Sequence, residues 1–545
     1  MARGTSNTSH AASLRALKHQ RTMRLAKLLS RAFYLRRRGR TRQMYNLICD
    51  EMVDLGGVYV KFLQGVLLNG KVMSYWTNPD RLKIFENLET EPLDIIQILR
   101  HELKPEALQQ ISGVQAQPFA AGSFGQVYLG KHVNGKQLII KVLRPQVREL
   151  LKHDLRLLGI FTRRFAAGEY KNISVKLDQA IKEFREVTLR ETDYEAEAHF
   201  ARELFDAYRD HPYLVIPETY LDLCTTHVIV QDYLGGISAV DLLKLRESGG
   251  DPVRHVAEVL GSDLDQQLIT LGVESLHGAF NLPRIQGDPH PGNIRFLEGN
   301  KVGMIDFGIS AASPDNRAAF FGILDEWSRL YQRQSGVGNL FEQFMRFFMN
   351  DLYQALKKMS SLRGGQSMSS LIKQNVTGQS DPREANFTKD LTRMMQDMLY
   401  NTLGTSDLQD LLEDGRMIHM FNNLVNKGNR FGLVVKVESS EILRAAQTYM
   451  TLVEALGRRK VVIPIVLQQV VALVEREHPN LRTESDESMS ITQAIETVNS
   501  WLERVAMRDP ALFNNLLRRI KLQGVKAAPA APDTVEDPET ETNDA

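Results

Sequence analysis

Residues 286–308 read QGDPHPGNIRFLEGNKVGMIDFG. The runs 293–297 and 301–305 are short and apolar-rich, and Glu298-Gly299-Asn300 between them is the pattern of a tight β-hairpin. Asp288 precedes the hairpin and Asp306 follows it. A hairpin reverses the chain, so Asp288 and Asn293 are expected to face Asp306 across a short gap. Two carboxylates and an amide brought together repel unless a cation joins them, and a hard divalent ion such as Mg²⁺ favours such oxygen ligands, completed by substrate phosphates. An Asp, four residues, an Asn and then a downstream Asp-Phe-Gly also match a template of phosphoryl transfer.

A site of that kind needs a loop over the phosphates and a lysine upstream. Residues 118–145, PFAAGSFGQVYLGKHVNGKQLIIKVLRP, supply both. The loop Ala120-Ala121-Gly122-Ser123-Phe124-Gly125 has the small residues that let backbone N–H groups approach phosphate. It leads into a strand through Val127, a turn at Asn134-Gly135, and a second strand carrying Lys141 among Ile139, Ile140, Val142 and Leu143. A lysine in an apolar strand is costly to bury unless it meets an anion, which nucleotide phosphates would provide.

An acid on a helix should hold that lysine. Apolar residues recur at spacings of three and four from Ile181 through Phe184, Tyr194, Ala198, Ala201 and Phe205 to Tyr208, which predicts one helix over 181–208 with Glu191 on its buried stripe. Further acids follow at Asp193, Glu195 and Glu197.

Composition bounds the rest. At 545 residues the chain exceeds one ordinary core, with roughly 150 residues expected per domain. A net charge of +1 gives no bulk attraction to nucleic acid, and two cysteines are too few for a disulfide framework or a zinc cluster. The charge is unevenly placed. Residues 1–49 hold twelve Lys/Arg and no Asp/Glu, whereas residues 527–545 are Pro/Ala-rich and acidic, the composition of a disordered tail. The apolar run 461–474 is too short for a membrane span and predicts a buried helix. Leu14, Leu17, Leu25, Leu28 and Phe33 recur among the N-terminal arginines at roughly helical spacing, which suits contact with anionic lipid at a membrane surface; a mitochondrial presequence is the competing reading.

The segments VKFLQG, AAGSFGQVY, IIKVLRP, RETDYEAEA, QGDPHPGN and DFG, in that order over about residues 50–320, resemble the UbiB family of atypical protein-kinase-like proteins of ubiquinone biosynthesis and lipid metabolism. The resemblance implies a bilobal kinase-like core that binds Mg-nucleotide (ATP or ADP) and an N-terminal helical extension folded over the active site. It makes Lys141 the nucleotide lysine, Glu197 its helix partner, and Glu191 and Asp193 a Glu-x-Asp motif. Asp288 becomes the catalytic-loop acid, Asn293 and Asp306 metal ligands, and VIVQDYLGG the hinge, with Asp232 and Tyr233 beside the nucleotide. Two departures stand out. The family's Lys-x-Gly-Gln reads Lys61-Phe62-Leu63-Gln64, and Gly122 stands where the family has alanine, so nucleotide preference is expected to shift.

The extension has its own pattern, an apolar stripe at Ile48, Met52, Leu55, Tyr59, Phe62 and Val66, with Lys61 and Gln64 on an adjoining face. Lys61 and Gln64 are expected to lie across the site mouth near Glu191 and Asp193, as a gate. After Gly308 the chain runs almost directly into a helical pattern, with no Ala-Pro-Glu and no long segment to present a peptide.

The expected fold is α+β and bilobal: a basic arm (1–44), a helical extension (45–113), a kinase-like N-lobe (114–236), a C-lobe core (237–345), C-terminal helices (346–525) and a disordered acidic tail (526–545). The expected activity is Mg-dependent ATP hydrolysis supporting isoprenoid-quinone or other lipid metabolism, with an isoprenoid lipid ligand and peripheral membrane contact. The expected place is the bacterial cytoplasm, alternatively the mitochondrial matrix. A small-molecule phosphotransferase, whose loop GDPHPGN also resembles, and a nucleotide-sensing scaffold without turnover are the alternatives.

Overall fold

The computed structural model describes residues 4–63, 92–122, 124–145, 147–166, 184–185, 188–334, 340, 343, 347 and 437–486. Gln64, Val66, Ser123, Ile181, the segment 348–436 and the tail lie outside them. The described elements belong to one unit of the chain.

Three helices open it: α1 (Gly4–Arg37), α2 (Thr41–Leu55) and α3 (Val58–Phe62). The expected stripe is buried from Ile48 to Phe62, but it is split between two helices, because Gly56 and Gly57 take φ of 67° and 55°, values that suit glycine. α2 also runs across the division expected between arm and extension. The arm is packed rather than free. Leu25, Leu28 and Ala32 of α1 join Ile48, Met52, Tyr59 and Phe62 in one apolar cluster with Leu151, Leu155 and Leu158. Polar anchoring adds to this packing: buried Asp154 accepts from Arg21 at 2.9 Å and from the Tyr59 hydroxyl at 3.2 Å.

α4 (Ile95–Glu102) and α5 (Pro105–Leu108) lead into the N-lobe sheet. Its strands are β1 (Ile111–Val114), β2 (Ala120–Ala121), β3 (Gly125–His132), β4 (Gln137–Leu143) and, later in the chain, β6 (Val228–Asp232). Their order is β1-β3-β4-β6, all antiparallel, with β2 folded back on β3. The Asn134-Gly135 turn joins β3 to β4 with Gly135 at φ 91°, and the register sets Lys141 opposite Val127. α6 (Val147–Ala166) carries Asp154.

The helix expected over 181–208 is broken. Residues 191–192 form a turn and Asp193 caps α7 (Tyr194–Tyr208), accepting from the Ala196 amide at 3.3 Å. The periodicity persists across the break because Thr188 and Tyr194 are both buried on either side of it.

The C-lobe contains α8 (Ala239–Glu247), α9 (Pro252–Leu260) and α10 (Leu264–Asn281), the last buried along most of its length. Short strands surround them. β5 (Leu214–Val215), β10 (Val302–Met304), β9 (Ile294–Phe296) and β7 (Ile237–Ser238) form one sheet, and β8 (Arg284–Gln286) pairs with β11 (Ser310–Ala312). The expected hairpin is present, with Phe296 opposite Val302 and Ile294 opposite Met304. α11 (Arg317–Tyr331), α12 (Val437–Ala455), α13 (Arg459–Glu477) and α14 (Asn480–Asp486) complete the unit. α13 holds the run 461–474, whose Val462, Ile463, Val466, Val470 and Val474 are buried. Among the described residues, no helix is long and apolar enough to cross a membrane.

Candidate functional site

The two aspartate loops are tied to each other by a residue between them. Gln286, at the end of β8 and 6% exposed, donates to the carbonyls of Asp288 (2.7 Å) and Asp306 (3.0 Å) and accepts from the Asp288 amide (3.0 Å). Asn293 also donates to the Asp288 carbonyl, at 3.1 Å. The hairpin therefore brings Asp288, Asn293 and Asp306 to one cavity of about 370 Å³. Sequence reasoning assigned Gln286 no role. A glutamine that ends an apolar strand one residue before Gly-Asp was the available signal, since a buried amide must find partners.

Lys141 reaches the same cavity from β4. Its Nζ lies 2.7 Å from Glu197 Oε1 on α7 and 3.2 Å from Asp306 Oδ2. Burial opposes its charge, but the Asp306 and Glu197 carboxylates outweigh burial and hold its pKa above the ordinary lysine value. Burial raises the Glu197 pKa, with Lys141 acting against it. Asp306 is the reverse case: burial would raise its pKa, but Lys141 and the Gly308 amide hold it below the usual carboxylate range. Phe307 is buried edge-on to Phe200 of α7, and its backbone amide bonds to Glu197. The lysine–glutamate pair and the Asp-Phe-Gly segment thus form one interlocked unit.

The residue pattern had pointed to Glu191 as the lysine's acid; the resemblance had pointed to Glu197. Glu197 holds Lys141, and Glu191 forms an ion pair with Lys61 of α3. Lys61 also stands over the Phe124 ring, 4.6 Å from its centroid, and its charge reaches Asp306 and Asp288. The expected proximity of Lys61 to the Glu191 turn is therefore present. Asp193 is the helix cap described above and does not line the cavity.

Gly122, Phe124, Gly125 and Val127 of the loop and strand line the cavity, and Lys61, Tyr194 and His290 do too. Gly125 is required by close approach: a Cβ there would stand 2.6 Å from the Val142 carbonyl and 2.7 Å from the Tyr194 hydroxyl. Ala120 and Ala121 are exposed strand residues that pair with Val127 and Gln126, away from the lining. Asp232 and Tyr233 also lie away from it. Asp232 accepts from Tyr220 at 2.7 Å and Lys136 at 3.0 Å, and the Tyr233 amide donates to the Gln137 carbonyl.

Asp288 is half-buried. Burial raises its pKa, the nearby Asp306 adds to the rise, and the residue lines the cavity. Asp288, Asn293 and Asp306 offer oxygen ligands only, which fits Mg²⁺. Among the described residues no group of three or more His, Cys, Asp and Glu side chains forms a protein-only metal cage. Ligation of such an ion at this site would need phosphate oxygens or water to complete it.

Residues 86–332 match the ABC1 atypical kinase-like domain. The chain is 28% identical over 282 residues to the Protein ACTIVITY OF BC1 COMPLEX KINASE 1, chloroplastic, of Arabidopsis thaliana, covering 51% of this chain and 39% of that protein. It is 24% identical to the Probable protein kinase UbiB of Azotobacter vinelandii, over 44% of this chain and 43% of that protein. It is also 24% identical to the Atypical kinase COQ8B, mitochondrial, of Rattus norvegicus, over 45% of each. The matches span less than half the length of these relatives.

Proposed function

Because residues 86–332 belong to the ABC1 atypical kinase-like family, we propose that the chain binds Mg-nucleotide in the cavity between Lys141 and Asp306 and hydrolyses ATP or transfers its terminal phosphoryl group. The observation that carries this reading is the convergence of Lys141, Glu197, Asp306, Asp288 and Asn293 on one cavity from four different segments.

In this reading the loop backbone at Gly122 and Gly125 borders the phosphates, and Lys141, positioned by Glu197, neutralises their charge. Asn293 and Asp306 would hold Mg²⁺, which would supply positive charge to offset the charge developing on the phosphate oxygens. An acceptor oxygen, from water or from a hydroxyl, attacks the terminal phosphorus while the bond to the ADP oxygen breaks. Asp288 takes the acceptor's proton. Lys61, fixed by Glu191 and Phe124, crosses the mouth of the cavity and acts as a gate that limits turnover until a ligand favours the open state.

The family and the basic face of α1 support a role in isoprenoid-quinone or lipid metabolism at a membrane surface, with an isoprenoid lipid as ligand. A small-molecule phosphotransferase is a second reading, favoured by the accessible Asp288 at the cavity. The test measures nucleotide affinity and phosphate release with and without Mg²⁺, anionic liposomes and isoprenoid-headgroup mimics, in the full chain and in Asp306→Asn. Mg-dependent turnover that rises with liposomes or mimics supports the reading. Full Mg-dependent binding and turnover in Asp306→Asn would overturn the site assignment.

A further inference from the structure

Tyr194 opens α7, one turn ahead of Glu197 and on the same helix face. The residue is 8% exposed, and its ring belongs to the apolar cluster that also holds Tyr59, Phe62, Phe124 and Leu143. A phenylalanine ring would pack there as well. Packing therefore accounts for the ring and gives no reason for the oxygen.

The hydroxyl stands at the cavity. Tyr194 lines it together with Gly125, Lys141 and Glu197, and a Cβ at Gly125 would lie 2.7 Å from the tyrosine oxygen. A buried phenol O–H ordinarily finds an acceptor, because burial without one is costly. Among the described residues the Tyr194 hydroxyl makes no hydrogen bond. The carboxylates of the site are taken up by Lys141, whose Nζ lies 2.7 Å from Glu197 and 3.2 Å from Asp306. An ammonium has three N–H donors, so those two contacts leave Lys141 one more. A neutral O–H from α7 and a spare N–H from β4 thus border one cavity beside Gly125, and an anionic oxygen entering there would satisfy both.

We propose that Tyr194 is a nucleotide-binding residue, whose hydroxyl donates a hydrogen bond to a phosphate oxygen seated between Gly125 and Lys141. This rests on the reading of the cavity as a Mg-nucleotide site. Lys141 supplies charge without a preferred direction, whereas a phenol O–H on a packed ring favours one oxygen position. Tyr194 then recognises the phosphate chain and is indifferent to the nucleoside.

The experiment compares the full chain with Tyr194→Phe, by calorimetric titration with MgADP and by displacement of bound MgADP with adenosine. The variant keeps the ring and removes only the oxygen, so the melting temperature without nucleotide should stay within about 2 °C. MgADP affinity should fall about tenfold, the scale of a hydrogen bond to a charged acceptor, while adenosine should bind both chains equally or neither. Where adenosine binds neither, the loss on MgADP decides alone. Unchanged MgADP affinity in Tyr194→Phe overturns the inference and leaves the proposed function standing. A loss shared equally by adenosine, or one that comes with a large fall in melting temperature, also overturns it, since it reports the packing of the ring and not a phosphate contact. Failure of the wild type to bind MgADP sinks both.

Discussion

Lys61 and Glu191, 130 residues apart in the chain, form an ion pair in the lining of the cavity, and Lys61 rests over the Phe124 ring. A short helix outside the kinase-like core is thereby joined to both the loop and the turn ahead of α7. Both side chains are about one quarter exposed, so solvent screens the pair and its contribution to stability is modest.

The pair should still be visible as coupling. Lys61→Ala, Glu191→Ala and the double variant are expected to show an interaction energy above about 0.5 kcal/mol in nucleotide affinity, since residues in contact are non-additive. Turnover should rise in the single variants if the contact restrains the site. Strictly additive effects would sink the gate.

Asp306 and Glu197 both hold Lys141, yet their substitutions should separate function from stability. Glu197 has a 5% exposed side chain and Asp306 a 45% exposed one. Asp306→Asn should abolish Mg-dependent nucleotide binding with little change in melting temperature, because the Lys141–Glu197 bond survives. Glu197→Leu leaves a buried lysine short of its main partner and should cost on the order of 3 kcal/mol of stability as well. Denaturant titration beside nucleotide titration distinguishes them, and equal stability loss in both variants would contradict the assignment.

The basic face of α1 gives a third expectation. Deleting residues 1–44 would strip Leu25, Leu28 and Ala32 from the core and confound a binding assay, so surface charge is the better probe. Lys27, Arg31 and Arg37 are exposed. Replacing all three with Gln should weaken binding to anionic vesicles by about 1 kcal/mol per charge at low salt, and less as salt rises. Unchanged sedimentation with vesicles would defeat membrane contact through this face.

What the residues disclosed and what they withheld has a physical basis. The hairpin from Ile294 to Met304, the β3–β4 turn and Lys141 were legible because local alternation and turn chemistry determine them. The acid that holds Lys141 was not legible from periodicity alone. A 3–4 spacing ran through the turn at 191–192 and favoured Glu191, and only the resemblance favoured Glu197. The place of α12 was also hidden, since Arg190 and Glu441 are 251 residues apart and nothing local joins them. The ties of Asp232 to Lys136 and Tyr220 were hidden for a related reason, being a matter of sheet-edge geometry and not of motif.

α13 is held to α10 by an ionic network that should make its docking depend on pH. Glu274 of α10 stands between His211 at 3.3 Å and His277 at 3.9 Å, and the other face of His277 meets Glu477 of α13 at 2.7 Å. Burial would raise the Glu274 pKa, but the two histidines outweigh it and hold the group down at about 2. Bonding to Glu274, against the cost of burial and with help from Glu477, raises the His277 pKa above its ordinary 6.5. The signs follow from linkage. A raised histidine stabilises the fold fully below 6.5, and that contribution fades as pH climbs through the higher folded value. The depressed carboxyl stabilises it above the ordinary 4.5 and fades as pH falls toward 2. Between those limits the α10–α13 contact should be firmest, weakening from near neutral pH upward. Thermal melts of the full chain from pH 5 to 9 should therefore show a decline above about 6.5 that His277→Gln flattens, because a neutral amide keeps the hydrogen bond to Glu477 without a titrating charge. If His277→Gln leaves the slope above 6.5 as steep as in the wild type, this network does not govern it.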